Sequence, residues 1–212
     1  MKRFMIILAI SLSILMSSTF AKAADVTKIL LILPDGLPQY IDTMLTKEVS
    51  VMKSMLEKAG FKVVAATTDG MPIKGSVVTF TPDLKLSDVK VDDYIGFIIA
   101  CMGAGEPTPK PPIAVLIVKQ ALTQGKPVAA SHSSVIILAE AGVLASKRYA
   151  FRMDPQLRYS SFTGAIYGGT GVVQDGNITT CGACPVVSTD YGLDDGTVEL
   201  TQAFITTLTT KK

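Results

Sequence analysis

Residues 128–144 read VAASHSSVIILAEAGVL, and the way this stretch folds decides the architecture. Gly125-Lys126-Pro127 precedes it, small residues open it, and an apolar run carries it to Gly142. That pattern predicts a short buried strand over Val128–Ser131, an abrupt turn, and a helix over 133–145. In several α/β enzymes a turn of this kind aims a nucleophile into a pocket at the helix N-terminus. Here the turn carries the chain's only histidine, His132, between Ser131 and Ser133.

Outward from this turn the same alternation repeats. TKILLIL, 27–33, is a nearly continuous apolar run ending in Pro34-Asp35-Gly36, as a buried parallel strand should be. Ile41, Met44, Leu45, Val49, Met52, Met55, Leu56 and Ala59 fall at three-and-four spacing, predicting a helix over 40–59 that Gly60 stops. Strands follow at 61–66 and 94–100, separated by an excursion through 76–86. Prolines 107, 109, 111 and 112 mark a loop, and 113–123 reads as the next helix. Near the end, 171–174 and 177–181 flank Asp175-Gly176, a hairpin signal, and Thr197–Thr210 closes the chain as a helix. Strands alternating with helices predict an α/β fold with a mostly parallel sheet covered on both faces. Ligands in such folds sit beyond the carboxyl ends of the strands. The residues to inspect are therefore Asp35, Gly36, Cys101, Met102, Gly103, Glu106, Ser131, His132, Ser133, Ser134, Cys181 and Cys184.

The first residues read differently. Lys2 and Arg3 precede an apolar run to Met16, and Ala21-Lys22-Ala23 has the small-x-small form of a cleavage site. Residues 1–23 are expected to be a secretory signal peptide cut near Ala23, giving an exported, periplasmic or secreted, single domain over 24–212. The apolar run is too short for a stable anchor, and no membrane anchor is expected in the mature chain. Losing three basic residues and no acids takes the formal charge from +2 to −1. No basic stripe suits a phosphate backbone, so nucleic acid is not an expected partner.

Several phrases together resemble the DJ-1/PfpI family of the class I glutamine amidotransferase-like superfamily: KILLILPDG, MLEKAGFKVVAATTDG, FTPDLKLSDVKVDDYIGFIIA, GKPVAASHSSVIILAEAGVL and VVQDGNITT. The resemblance implies a flavodoxin-like three-layer sandwich and a homodimer. It places His132 where family members carry the catalytic cysteine, and Pro38 where they carry a glutamate that hydrogen-bonds the thiolate. Ala100-Cys101-Met102 stands where a Pro-Gly-Gly phrase usually ends the strand. With those groups replaced, the family's cysteine-dependent hydrolase or deglycase activity is not expected to persist.

The remaining chemistry centres on a few side chains. His132 is a candidate ligand or acid–base group, with the alternative that it merely fills the pocket of a lost nucleophile. Ser131 and Ser133 are candidate nucleophiles with His132 as base, although capping the elbow helix is their simpler role. Cys181-Gly182-Ala183-Cys184 follows a strand and precedes Pro185, a setting unlike the helix start of thioredoxin-type exchange. A short-loop disulfide is permitted there, with one of the three cysteines left over. A metal set of Cys101, His132, Cys181 and Cys184 is the sharper alternative, because thiolate and imidazole suit Cu(I) or Zn. Asp35 and Glu106 are weaker candidates that fit ordinary turn and loop roles. Binding of a small ligand or soft metal around His132 is the expected function. The alternatives are an unorthodox enzyme acting on a small electrophile through His132 with a serine or cysteine, and a homo-oligomeric scaffold with a vestigial pocket.

Overall fold

Among the described residues, 27–103 and 110–210 of the computed structural model, the main sheet has seven strands. They are β1 Lys28–Leu33, β2 Lys62–Thr67, β3 Leu84–Lys85, β4 Gly96–Ile99, β5 Val128–Ser131, β6 Val172–Asp175 and β7 Ile178–Cys181. Their spatial order is β6-β7-β5-β4-β1-β2-β3. Every neighbouring pair is parallel except the β6–β7 hairpin, which turns at Asp175-Gly176 as its sequence predicts. The expected leader and its cleavage site, and Glu106, lie outside the described residues.

Alternation along each strand divides the apolar side chains between two helical layers. Leu30 and Ile32 of β1, Phe97 and Ile99 of β4 and Val128 and Ala130 of β5 share one core with α3, Pro112–Thr123, and α4, Val135–Glu140. Ile29, Leu31, Leu33, Ile98 and Ala129 share the other core with α1, Ile41–Met44, α2, Ser50–Lys58, and α6, Thr197–Thr210. The five residues 29–33 are fully buried, which is why the run shows no polar alternation. Burial of each such Leu or Ile stabilises the fold by roughly 1.5–3 kcal/mol. No helix among the described residues is long and apolar enough to cross a membrane.

The helix expected over 40–59 is not continuous. A 3-10 turn, Pro38–Tyr40, leads into α1, and a π turn over Leu45–Val49 separates α1 from α2. The wider turn re-registers the buried stripe so that Leu45, Glu48 and Val49 all face inward. The helix expected over 133–145 is also shorter. His132–Ser134 forms a 3-10 turn, α4 ends at Glu140, and Gly142 takes the left-handed conformation (φ 70°) that terminates it. A third difference lies after β7. Pro185 begins a short helix, α5, Pro185–Tyr191, with Cys184 as its N-cap residue, where the sequence reading placed no helix start.

Candidate functional site

The chain reverses from one side of β1 to the other between β2 and β4, and the site lies at the carboxyl ends of β4, β5 and β7. Two non-glycine residues there have positive φ, Met102 at 56° and His132 at 37°. Left-handed backbone costs an L-residue roughly 1–2 kcal/mol, so both turns must be held by their surroundings.

At the first turn, Glu48 does the holding. Its Oε2 accepts the backbone N–H of Cys101 at 2.9 Å and that of Met102 at 3.2 Å. Gly36 packs against the same turn from the other side, where a Cβ would come within 2.4 Å of the Met102 carbonyl oxygen. At the second turn the serines reach back to β4. Ser134 Oγ donates to the Ala100 carbonyl at 2.7 Å, and Ser133 Oγ donates to the Cys101 carbonyl at 3.3 Å. Ser131 makes no side-chain cap and the Ser133 hydroxyl is turned to the Cys101 carbonyl, so the expectation that Ser131 and Ser133 cap the elbow helix is corrected. The hydroxyls at 133 and 134 instead tie the elbow to the neighbouring strand end, because the polar groups exposed there are strand carbonyls.

These ties bring three soft or borderline donors together. Cys101 Sγ, His132 Nδ1 and Cys184 Sγ all lie within 4.8 Å of one another, and all three residues are buried. Cys101 Sγ is 3.5 Å from His132 Nδ1 and 3.3 Å from Ser133 Oγ, while Cys184 Sγ is 4.0 Å from His132 Nδ1. The imidazole stacks on Phe151 with ring centroids 5.2 Å apart, which fixes its plane.

Cys181, the fourth residue of the expected metal set, does not join. Its Sγ donates to the Ala183 carbonyl at 3.3 Å, and all three cysteines are free thiols. Gly182 sets this divergence: a Cβ there would meet the Phe151 and Thr170 carbonyl oxygens at 2.6 Å, so the chain threads between two backbones before Cys184 turns inward.

The electrostatics distinguish the three thiols. For Cys101, burial pushes the thiol up, but hydrogen bonds from Cys184 and His132, the His132 charge and the Ser133 hydroxyl outweigh it and hold it well below the usual cysteine range. Cys184 moves upward, because it hydrogen-bonds Cys101, is buried, and faces the Cys101 and Glu48 charges. The two thiols titrate as one pair, which gives up its first proton below the usual cysteine range and holds its second above it. Burial pushes Cys181 to about 11.

Glu48 was not among the residues singled out from sequence. It is fully buried, and burial followed by the Cys101 charge pushes its carboxyl to about 8, against the hydrogen bonds from the Cys101 and Met102 N–H groups. The Ser131 hydroxyl faces this carboxyl from β5, although Glu48 Oε1 and Ser131 Oγ lack a partner at hydrogen-bond geometry. One signal pointed to Glu48: in the sequence Met44, Glu48 and Met52 are spaced by four, which sets a charge on the apolar stripe.

Of the other candidates, Gly36 and Gly103 pack around the Met102 turn, Gly103 against Tyr40. Asp35 is exposed and lines a separate cleft of about 190 Å³ with Thr67, Asp69 and Ile73.

The family model described as the DJ-1/PfpI family matches residues 28–187. An uncharacterized protein of Methanocaldococcus jannaschii is 32% identical over 130 residues, covering 60% of this chain and 63% of the relative. A second uncharacterized protein, from Archaeoglobus fulgidus, is 36% identical over 99 residues, covering 47% of this chain and 58% of the relative. Both matches span less than two thirds of the relatives' own length. Among solved structures, a ThiJ/PfpI domain protein from Brachyspira murdochii superposes with a TM-score of 0.66 at 19% identity, covering 87% of this chain and 97% of that one. Drosophila melanogaster DJ-1beta superposes with a TM-score of 0.63 at 21% identity, covering 85% and 89%. At these identities the structural likeness is one of fold.

Proposed function

Because this chain belongs to the DJ-1/PfpI family, we propose that it turns a strand-end pocket of that fold to metal binding, holding a soft ion between Cys101 Sγ, His132 Nδ1 and Cys184 Sγ. The observation that carries this reading is the convergence of the three buried donors within 4.8 Å of one another. Two sulfurs and one imidazole nitrogen suit Cu(I) in a three-coordinate site, or Zn(II) with a further ligand in a fourth position. Thiolate ligation requires the thiol pair to give up the proton it holds, so binding releases protons and tightens as pH rises. In this reading the chain is exported after cleavage near Ala23 and takes up its ion in that compartment.

The same geometry weighs against acyl transfer. Two adjacent backbone N–H groups are what an oxyanion needs, and those of Cys101 and Met102 are already taken by Glu48. The Ser133 hydroxyl is engaged by Cys101, with both the carbonyl and the Sγ at 3.3 Å.

A second reading has one observation in its favour: Cys101 is held low by its hydrogen bonds and pairs with His132 Nδ1 at 3.5 Å. That is the arrangement of an activated thiol acting on a small electrophile.

Competition titration of the purified full chain with Cu(I) and Zn(II) separates the two readings. Metal binding predicts one equivalent bound tightly and lost in His132→Ala and in Cys184→Ser. Absence of tight binding, with turnover of small aldehydes or thioesters abolished by Cys101→Ser, would replace the metal reading by the thiol enzyme.

A further inference from the structure

We propose that Cys101 and Cys184 are a redox dithiol, which a small hydroperoxide oxidises to a disulfide joining the turn after β4 to the start of α5. The pairing stands without an ion. Its consequence for the ion rests on the metal-binding reading, because closure takes both sulfurs from that site.

Spacing alone pairs Cys184 with Cys181, but the fold pairs it with Cys101. Cys181 Sγ points to the Ala183 carbonyl at 3.3 Å, and Gly196 lies so close that a Cβ there would come within 2.1 Å of the sulfur. Cys184 Sγ and Cys101 Sγ, by contrast, lie within 4.8 Å of one another. A disulfide needs about 2.05 Å between its sulfurs, so both side chains must still move. Both stand where movement disturbs the sheet least. Cys101 lies beyond the last β4 ladder bond, Ala100 N–H to the Ile32 carbonyl at 3.0 Å. Cys184 lies beyond β7, in the extended backbone of the α5 N-cap.

The surroundings give the two thiols different parts. His132 Nδ1 at 3.5 Å and Ser133 Oγ at 3.3 Å are both placed to donate to Cys101 Sγ, contacts that favour a thiolate. Cys101 is therefore the sulfur that meets the oxidant. Cys184 Sγ is 4.0 Å from the same Nδ1 and is the resolving thiol. Cys101 attacks the terminal oxygen of the hydroperoxide, the O–O bond breaks, and the alkoxide leaves as an alcohol with the proton from Nδ1. The Cys184 thiol then passes its proton to Nδ1, and its sulfur attacks the sulfenic acid formed on Cys101. The S–O bond breaks, and hydroxide leaves with that proton as water. Two electrons pass from the dithiol to one peroxide, which becomes an alcohol and water.

Burial selects the class of oxidant. Cys101 is 1% exposed and Cys184 0%, so a disulfide such as oxidised glutathione has no room to align its sulfur with them. A small peroxide needs far less space. With a resolving thiol this near, the sulfenic acid is consumed before further oxidation.

The test treats the full, reduced, metal-free chain with hydrogen peroxide and maps the products by peptide mass spectrometry after alkylation under denaturing conditions. The wild-type chain should lose two hydrogens, with Cys101 linked to Cys184 and Cys181 alkylated. Cys181→Ser should oxidise like wild type, and Cys184→Ser should stop at a sulfenic acid on Cys101, trapped by dimedone. Oxidised glutathione at the same concentration should leave the wild-type thiols reduced. A Cys181–Cys184 link, a Cys101 sulfinate in place of the disulfide, or unreacted thiols would overturn the proposal. Equally fast oxidation by oxidised glutathione would overturn its hydroperoxide assignment. If a variant does not fold, the wild-type map decides alone. Cu(I) titration before and after oxidation keeps this proposal apart from the reading it extends. A chain that binds Cu(I) when reduced should lose more than about 100-fold in affinity once oxidised, beyond the effect of losing an outer group, and regain it on reduction by a phosphine. Disulfide formation in a chain that binds no Cu(I) would leave the dithiol standing and remove the metal reading. Tight Cu(I) binding with no Cys101–Cys184 link under peroxide would do the reverse.

Discussion

Cys181 and Cys184 lie three residues apart at the end of one strand, yet they belong to different kinds of structure. Cys181 is packing: its thiol is pushed up by burial, donates to the nearby Ala183 carbonyl, and stands where a Cβ on Gly196 would come within 2.1 Å. Cys184 is chemistry, because it turns toward His132 Nδ1 and shares a proton with Cys101. The difference arises from Gly182, which lets the chain pass between the Phe151 and Thr170 backbones and reverse direction before Cys184. Two thiols with the spacing of a redox pair are therefore parted by backbone geometry, and the partner of Cys184 comes from another strand.

The strongest way to break this contrast is to remove each thiol in turn. Cys184→Ser should lower affinity for a soft metal ion by more than about 100-fold, beyond the usual effect of losing an outer-shell group. Cys181→Ser should leave it within about threefold. Isothermal titration with Cu(I) held reduced by ascorbate reads both. Equal losses in the two variants would mean that Cys181 also ligates and that the contrast is false.

A second test concerns the acid that stands beside both thiols. Burial, and then the Cys101 charge, push the Glu48 carboxyl from the ordinary 4.5 of an unfolded chain up to about 8, so the folded state holds its proton more tightly. A raised folded-state value contributes stability in full below pH 4.5, and that contribution is lost as pH climbs through 8. The Cys101 thiol runs the other way, since a lowered value adds stability as pH rises, and only a comparison of variants isolates Glu48. Glu48→Gln has no proton to lose there. The metal-free variant should match wild type within about 1 kcal/mol near pH 4.5 and exceed it by a few kcal/mol near pH 8.5. Urea denaturation at the two pH values gives the difference, and parallel pH profiles would show that Glu48 does not titrate across this window.

The two cysteines also show what the amino-acid sequence makes legible. The sheet was readable because β1, β2 and β4 are built on apolar runs and α2, α3 and α4 are each followed within two residues by a glycine, signals that depend on near neighbours alone. His132 on its sharp turn was readable for the same reason. The hold of Glu48 on the first turn was not, since its carboxyl reaches N–H groups more than fifty residues away and the π turn that aims it has no short-range signature. The helix at Pro185 was hidden because a proline after a strand reads equally as a stop and as the first residue of a helix. Cys181 and Cys184 could be named but not separated, because their separation depends on how closely Gly182 is approached by the Phe151 and Thr170 carbonyls, and those contacts appear only once the chain has folded.

The smallest effect probes the packing side of the contrast. Gly196 precedes α6, and its backbone needs no left-handed conformation, so alanine is opposed there only by what its Cβ would touch. That contact is Cys181 Sγ, a buried atom with little room to move, and overpacking of this kind costs about 1–3 kcal/mol. Gly196→Ala should therefore destabilise the chain by that amount while leaving metal affinity unchanged. Adding Cys181→Ala removes the obstructing sulfur and should recover about 1 kcal/mol or more, a coupling measurable in a double-mutant cycle by thermal denaturation. An additive cycle would mean that Cys181 yields freely to its neighbour, and its role as rigid packing against α6 would fall. A full recovery with unaltered Cu(I) titration would place Cys181 wholly on the structural side, and the chemistry wholly with Cys101, His132 and Cys184.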